Sequence, residues 1–169
     1  IMNFTNSRDG QWVKEEAVVD SGAVDCVVNK RRFPHVEVQP TPESLRGEAW
    51  SCAGGKQIPK QGEITLRWQT TGGSNHNTVF KVGDVGKTLI IVSRLHEAGH
   101  YVILSRKEPR IVNTKTGQVT PLRRAGGMFI LDMWMFVEAG TMAKHITNDD
   151  DFTMKDAKVA RTPGFTRRG

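Results

Sequence analysis

The residues best equipped for chemistry in this chain are an acid followed by a hydroxyl and a glycine, Asp20-Ser21-Gly22-Ala23. Val18-Val19 run straight into the acid, and Val24 follows Ala23. A carboxylate set between two such runs is expected to be largely buried, which is costly unless the group is paired or used. Gly22 allows a backbone N–H to approach the acid closely, and Ser21 can brace the loop with its hydroxyl. The same residues also make an ordinary Asp-Ser-Gly turn. A second pattern competes with the first. His96-Glu97-Ala98-Gly99-His100 fits His-Glu-x-x-His, in which two imidazoles one helical turn apart hold zinc and the glutamate acts as base. Its context is less favourable. Gly99 disfavours a continuing helix by about 1 kcal/mol relative to Ala, and Tyr101–Leu104 reads as a strand, so His100 falls at the helix exit. Glu108 or Asp149–Asp151 would have to supply a third ligand. The plainer reading is a capped surface helix with two exposed imidazoles.

Short strands and glycine turns must position these residues. Glu15–Val19 and Val24–Val28 are β-branched runs bracketing Asp20-Ser21-Gly22. Residues 33–44 carry Pro34, Pro40 and Pro42 and are expected to form an extended loop. Leu45–Cys52 is a candidate strand. Ala53-Gly54-Gly55-Lys56 makes a hairpin tip, and Ile64-Thr65-Leu66-Arg67-Trp68 alternates as a half-buried strand does. Thr70–Asn77 reads as a polar loop, with strands at Thr78–Val82 and Thr88–Val92. Ser93 is placed to cap a short helix over Arg94–Ala98 that Gly99 stops. Strands follow at Tyr101–Leu104, Arg110–Asn113, Val119–Leu122 and Met128–Phe136, separated by Thr114–Gly117 and Ala125-Gly126-Gly127. No internal repeat is visible. The pattern predicts an all-β, barrel-like class.

Composition bounds the function classes. In 169 residues, 37% hydrophobic content together with 17 glycines falls in the globular range, so the chain can bury a core. No apolar run approaches the roughly 18 residues of a membrane helix, so no membrane partner is expected. The opening Ile1-Met2-Asn3-Phe4 lacks the charged start and apolar middle of a signal peptide, and a chain beginning at Ile1 reads as a fragment or processed product. The net charge of +6 permits weak attraction to acidic surfaces. The basic residues are spread out, however, and Lys30-Arg31-Arg32, Arg123-Arg124 and Arg167-Arg168 read as solvated surface. A nucleic-acid module would also want interleaved aromatics, which are lacking. Cys26 and Cys52 are too few for a disulfide framework and lack metal spacing, which favours a reducing compartment.

Taken in order, Asp20-Ser21-Gly22-Ala23, the run from Cys52-Ala53-Gly54-Gly55-Lys56-Gln57-Ile58-Pro59 to Gly62, and Phe80-Lys81-Val82 resemble the retropepsins, the aspartic proteases of retroviruses and retrotransposons. The closest look is to copia-type retroelement polyproteins. The resemblance continues through Leu89-Ile90-Ile91-Val92-Ser93 to Ala98-Gly99, then Ile111–Gly117, Leu122 and Gly126–Leu131, and covers about residues 14–136. Ser21 stands where viral enzymes usually have Thr. Ile91-Val92-Ser93 stands where an apolar-apolar-Gly crossing strand is usual, and the flap turn has fewer glycines than viral flaps.

The resemblance implies an all-β, retropepsin-like closed barrel with a flap hairpin, one short helix and extra C-terminal β-hairpins. It divides the chain into a lead-in at 1–13, a core at 14–105, a β extension at 106–137 and a polar tail or linker at 138–169. It implies an aspartic endopeptidase with Asp20 as the catalytic acid and Ser21, Gly22 and Ala23 as its loop. Ala53, Gly54, Gly55, Lys56 and Gln57 would form a flap over a polypeptide substrate. Two carboxylates must share one proton in this chemistry. Only one Asp-Ser-Gly is present, and Asp9-Gly10 and Asp84-Val85-Gly86 lack its setting. The second acid is therefore expected from Asp20 of another copy in a homodimer. No cofactor or metal is required, and nucleic acid is met only through the parent polyprotein. The expected location is intracellular, in cytoplasm or retroelement particles. The alternatives are the zinc site at His96, Glu97 and His100, and an inactive retropepsin-like dimerisation or peptide-binding module.

Overall fold

The computed structural model describes residues 10–138. The expected tail from 139 on, Asp149–Asp151 within it, and residues 1–9 of the expected lead-in lie outside them. The described chain is mostly β, as predicted. Its elements run β1 (Gly10–Asp20), β2 (Val27–Val28), a 3-10 turn (Lys30–Arg32), α1 (Pro42–Leu45), β3 (Ala49–Ser51), β4 (Gln57–Pro59), β5 (Gly62–Gln69), β6 (Asn75–Val82), β7 (Thr88–Ile91), α2 (Val92–Glu97), β8 (His100–Ile103), β9 (Arg110–Asn113), β10 (Val119–Pro121), β11 (Arg123–Ala125) and β12 (Met128–Glu138). No helix among the described residues is long and apolar enough to cross a membrane.

Seven strands share one sheet in the order β1-β7-β2-β6-β5-β12-β11, and β12 also pairs with β1. The pairing path that leaves β1 through β7 therefore returns to it through β12. The β1–β12 ladder is antiparallel from Gly10↔Glu138 to Val19↔Phe129. This ladder draws Gly10–Val13, expected as lead-in, into the strand. On its other edge β1 runs parallel to β7, with Ala17 opposite Thr88 and Asp20 opposite Ile91. β7 lies between β1 and β2, so the chain leaving Asp20 must pass across the end of β7 before Val27 can pair with Leu89. That crossing limits the second expected strand, Val24–Val28, to its last two residues.

Residues 17–19 of β1 do not alternate, because both faces of that stretch are covered. Ala17 and Val19 enter the main core with Phe33, Ile64, Leu66, Trp68, Phe80 and Leu131. Val18 points the other way, into a second cluster with Val27, Leu89, Ile130, Trp50, Cys52 and Ile58. The last three come from or adjoin the small β3–β4 hairpin, which is mounted on the outside of the main sheet. Trp50 lies so close to Gly83 that an added Cβ would meet its ring at 2.6 Å, which accounts for glycine there.

Two expectations about helices are corrected. The proline-rich loop contains α1, because Pro42 sits at the first helical turn and Thr41 with Ser44 forms a reciprocal cap. Ser93 is not the cap of α2. β7 passes directly into the helix with Ile91 at the cap position and no side-chain cap bond. Gly99 does end it, at φ +86°. The basic run 30–32 is also more than solvated surface. Lys30 Nζ donates to the carbonyls of Phe33 and Val36 and so ties down the loop that follows.

Arg32 reaches inward to Glu15, which is 1% exposed, with Nη2 to Oε2 at 2.6 Å and Nε to Oε1 at 3.2 Å. The Thr88 hydroxyl donates to the same carboxylate at 2.9 Å. Removing one partner of a buried pair leaves the other charge uncompensated, at a cost of about 3–5 kcal/mol, whereas apolar replacement of both is often neutral or stabilising. We therefore expect Arg32→Ala to lower the urea midpoint sharply. The double change Glu15→Met with Arg32→Leu should recover most of that loss.

Candidate active site

Asp20 ends β1 in a partly buried position, opposite Ile91 of β7. The backbone then turns outward, leaving Ser21 and Gly22 exposed. This corrects the expectation of a largely buried carboxylate. The apolar residue after the loop, Val24, is 56% exposed and does not close over the acid. The Gly22 N–H donates to Asp20 Oδ1 at 2.7 Å, a charge-assisted bond that fixes the carboxylate on its own loop. The brace in this loop is thus a backbone amide rather than the Ser21 hydroxyl.

Two contacts connect this loop to the β3–β4 hairpin. Ala23 packs on the cluster that holds Trp50, Cys52 and Ile58. The Trp50 indole N–H donates to Asp25 Oδ2 at 3.0 Å. Asp25 and Trp50 were not distinguished by sequence reasoning. They are 25 positions apart, and no local pattern pairs an acid with a distant indole.

The hairpin itself has a fixed base and an open tip. Trp50 and Ile58 face each other in register and are buried. At the tip, Gly54 and Gly55 take φ +91° and +84°, and nothing lies within 4 Å of where a Cβ would stand on either. Cys52 N–H donates to the Lys56 carbonyl at 2.7 Å and closes the turn. Ala53, Gly54, Gly55, Lys56 and Gln57 are all exposed. Successive left-handed residues favour glycine, so the tip sequence suits the turn it makes.

The His-Glu-x-x-His residues are separated. α2 ends at Glu97, and His100 lies in β8, so the two imidazoles do not share a helix face. His96 is exposed, and Glu97 pairs with Arg94 at 3.0 Å. His100 is buried, contrary to the expectation of two exposed imidazoles, and its Nδ1 lies 3.2 Å from the Leu95 carbonyl. Its ring neighbour is His76 of β6, at a centroid distance of 5.0 Å. His76 in turn stacks on Trp68 at 4.3 Å. No group of three or more His, Cys, Asp or Glu side chains suited to a metal occurs among the described residues.

Burial, and secondarily the neighbouring His100, pushes the His76 pKa down to about 4. Its ordinary value is 6.5. The unfolded chain therefore takes up this proton first as pH falls. The stability associated with neutral His76 is fully present above pH 6.5 and is lost as pH falls towards 4. For a partly solvated ring we expect a loss of about 1–2 kcal/mol across that window. Urea titrations at successive pH values should show this slope, and His76→Gln should flatten it.

Among known proteins, no family model, curated protein or solved structure matches the chain.

Proposed function

We propose that the chain is a retropepsin-like aspartic endopeptidase of a copia-type retroelement polyprotein, with a dyad built from Asp20 of two copies. The observation that carries this reading is the local geometry of the acid. Asp20 ends a strand with the amide of Gly22 on its carboxylate, and the adjoining Ala23 packs on the core that anchors a glycine-tipped hairpin. The sequence order of acid loop, hairpin, crossing strand and helix supports it further. The return of the strand pairing from β12 to β1 is consistent with a closed barrel.

In this reading, the ionised member of the dyad accepts a proton from a bound water, and the water oxygen attacks the scissile carbonyl carbon. The protonated member donates to the carbonyl oxygen. The tetrahedral diol then collapses, and the amide nitrogen leaves with a proton as the free amine. The Gly22 amide orients one carboxylate oxygen of each Asp20. The Ala53–Gln57 tip closes over an extended peptide and excludes water while its base at Trp50 stays fixed.

A single copy holds one such acid loop, so the second copy is part of the site. Beside Ser21 lies an apolar groove of about 650 Å3, lined by Val92, Tyr101, Ile103 and Val112 among others. Tyr101 is 60% exposed there. A surface of this kind next to the acid loop suits coverage by the second copy. Sedimentation should find a dimer whose dissociation is promoted by Tyr101→Arg, with activity falling in step. Full activity in a verified monomer would count against the shared dyad.

For the chemistry itself, the rate should peak in mildly acidic solution and fall on both sides, because only the singly protonated pair is competent. Pepstatin, which places a hydroxyl where the water sits, should inhibit near that optimum. Asp20→Asn should lower kcat/KM by at least about 1,000-fold while leaving peptide binding in place. A neutral optimum insensitive to both pepstatin and Asp20→Asn would overturn the proposal.

A further inference from the structure

We propose that His76 and His100 form a two-imidazole binding site for a divalent first-row transition metal of the zinc class, separate from the acid loop and independent of the protease reading. The two rings come from different elements, β6 and β8, and line one cleft of about 610 Å3. Asn77, Asn113 and Asp25 also line this cleft.

Three observations point to a metal. The first is spacing. Two imidazoles bound to one ion at about 2.0–2.1 Å, with an angle between about 90° and the tetrahedral value, have ring centroids roughly 4.5–5.2 Å apart. The centroids of His76 and His100 are 5.0 Å apart with the rings inclined at 43°, a spacing that admits a shared ion as well as a plain ring contact. The second is the ring hydrogen bond of His100. The Leu95 carbonyl can only accept, so Nδ1 donates to it at 3.2 Å and Nε2 is the nitrogen left to face a metal. A ligating histidine is usually held in this way by a backbone carbonyl or carboxylate on its other nitrogen.

The third observation is an orphaned atom. His76 Nε2 is buried and has no hydrogen-bond partner. Buried polar atoms left unpaired are few in folded proteins, and an ion is one of the things that satisfies them. The His76 ring is held in place by its stack on Trp68. Water or cleft side chains would complete the coordination, so the site is open rather than a closed four-ligand structural centre. The arrangement is not His-Glu-x-x-His. It uses the second histidine of that pattern and replaces the first with a residue from a different strand.

The test is titration of the metal-stripped full chain with Zn2+ alone at pH 7.5, followed by calorimetry. We expect one ion per chain with micromolar affinity and no heat with Mg2+. His76→Gln and His100→Gln should each weaken binding at least tenfold, whereas His96→Gln should leave it unchanged. Because His100 is buried, the unaltered chain supplies a second readout. Imidazole nitrogen resonances of His76 and His100 should shift on Zn2+ addition while those of His35 and His96 stay in place. Absence of binding would overturn the site. So would binding that survives His76→Gln, binding lost with His96→Gln, or shifts confined to other histidines.

Discussion

A charged side chain in the middle of β1 constrains much of what surrounds it. Glu15 is buried, and burying a lone carboxylate costs several kcal/mol, so the chain can fold only where that charge is met. It is met from two directions, by Arg32 of the 3-10 turn and by Thr88 at the start of β7. Joining these three positions brings β7 against β1 and brings the turn after β2 over the same site. With β7 between β1 and β2, the loop after Asp20 has to cross the strand ends. The acid is thus held on a rung fixed five residues earlier by an ion pair that takes no part in any proposed chemistry.

The second organising feature is that β1 is covered on both faces. One face completes the main core, and the other carries the base of the β3–β4 hairpin through Val18. Hairpin and acid loop are therefore mounted on the same strand. The Trp50–Asp25 hydrogen bond adds a polar tie between them at the point where the chain leaves the loop. Below that tie the hairpin is packed. Above it, open space surrounds the two tip glycines, and the turn is closed by its own hydrogen bonds. A fixed base with an open tip is what a covering element needs if it is to move without disturbing the acid.

Much of this was legible from residue types. The alternation Ile64, Leu66, Trp68 located β5, the β9 range Arg110–Asn113 was read correctly, and Gly54-Gly55, Gly99 and Gly117 marked real turns. The turn after Asp20 was legible from Ser21-Gly22, but the burial expected of its carboxylate was not met, because Val24 stays exposed instead of closing over it. What escaped depends on partners far along the chain. Gln11, Trp12 and Val13 look like a polar lead-in until β12 is opposite them. Arg32 looks like part of a solvated basic run until Glu15 is known to be inside. His76 was assigned to a loop because Asn75 and Asn77 flank it, yet it pairs in register with Trp68. The His-Glu-x-x-His match was misleading for the opposite reason. It is a local pattern, and the helix it needs ends at Glu97, with Gly99 turning the chain into β8.

The β1–β12 ladder has a mechanical consequence. Its two outermost rungs place Gly10 directly opposite Glu138, so both flanks of the described fold emerge from the same end of one antiparallel pair. Tension transmitted through these two residues acts across the ladder, perpendicular to the strands, and loads one rung at a time. Shear along the strands would load all rungs at once. Pulled in this way, the pair would open from Gly10 inward, rung by rung. The last rungs to open in β1 would be those next to Asp20.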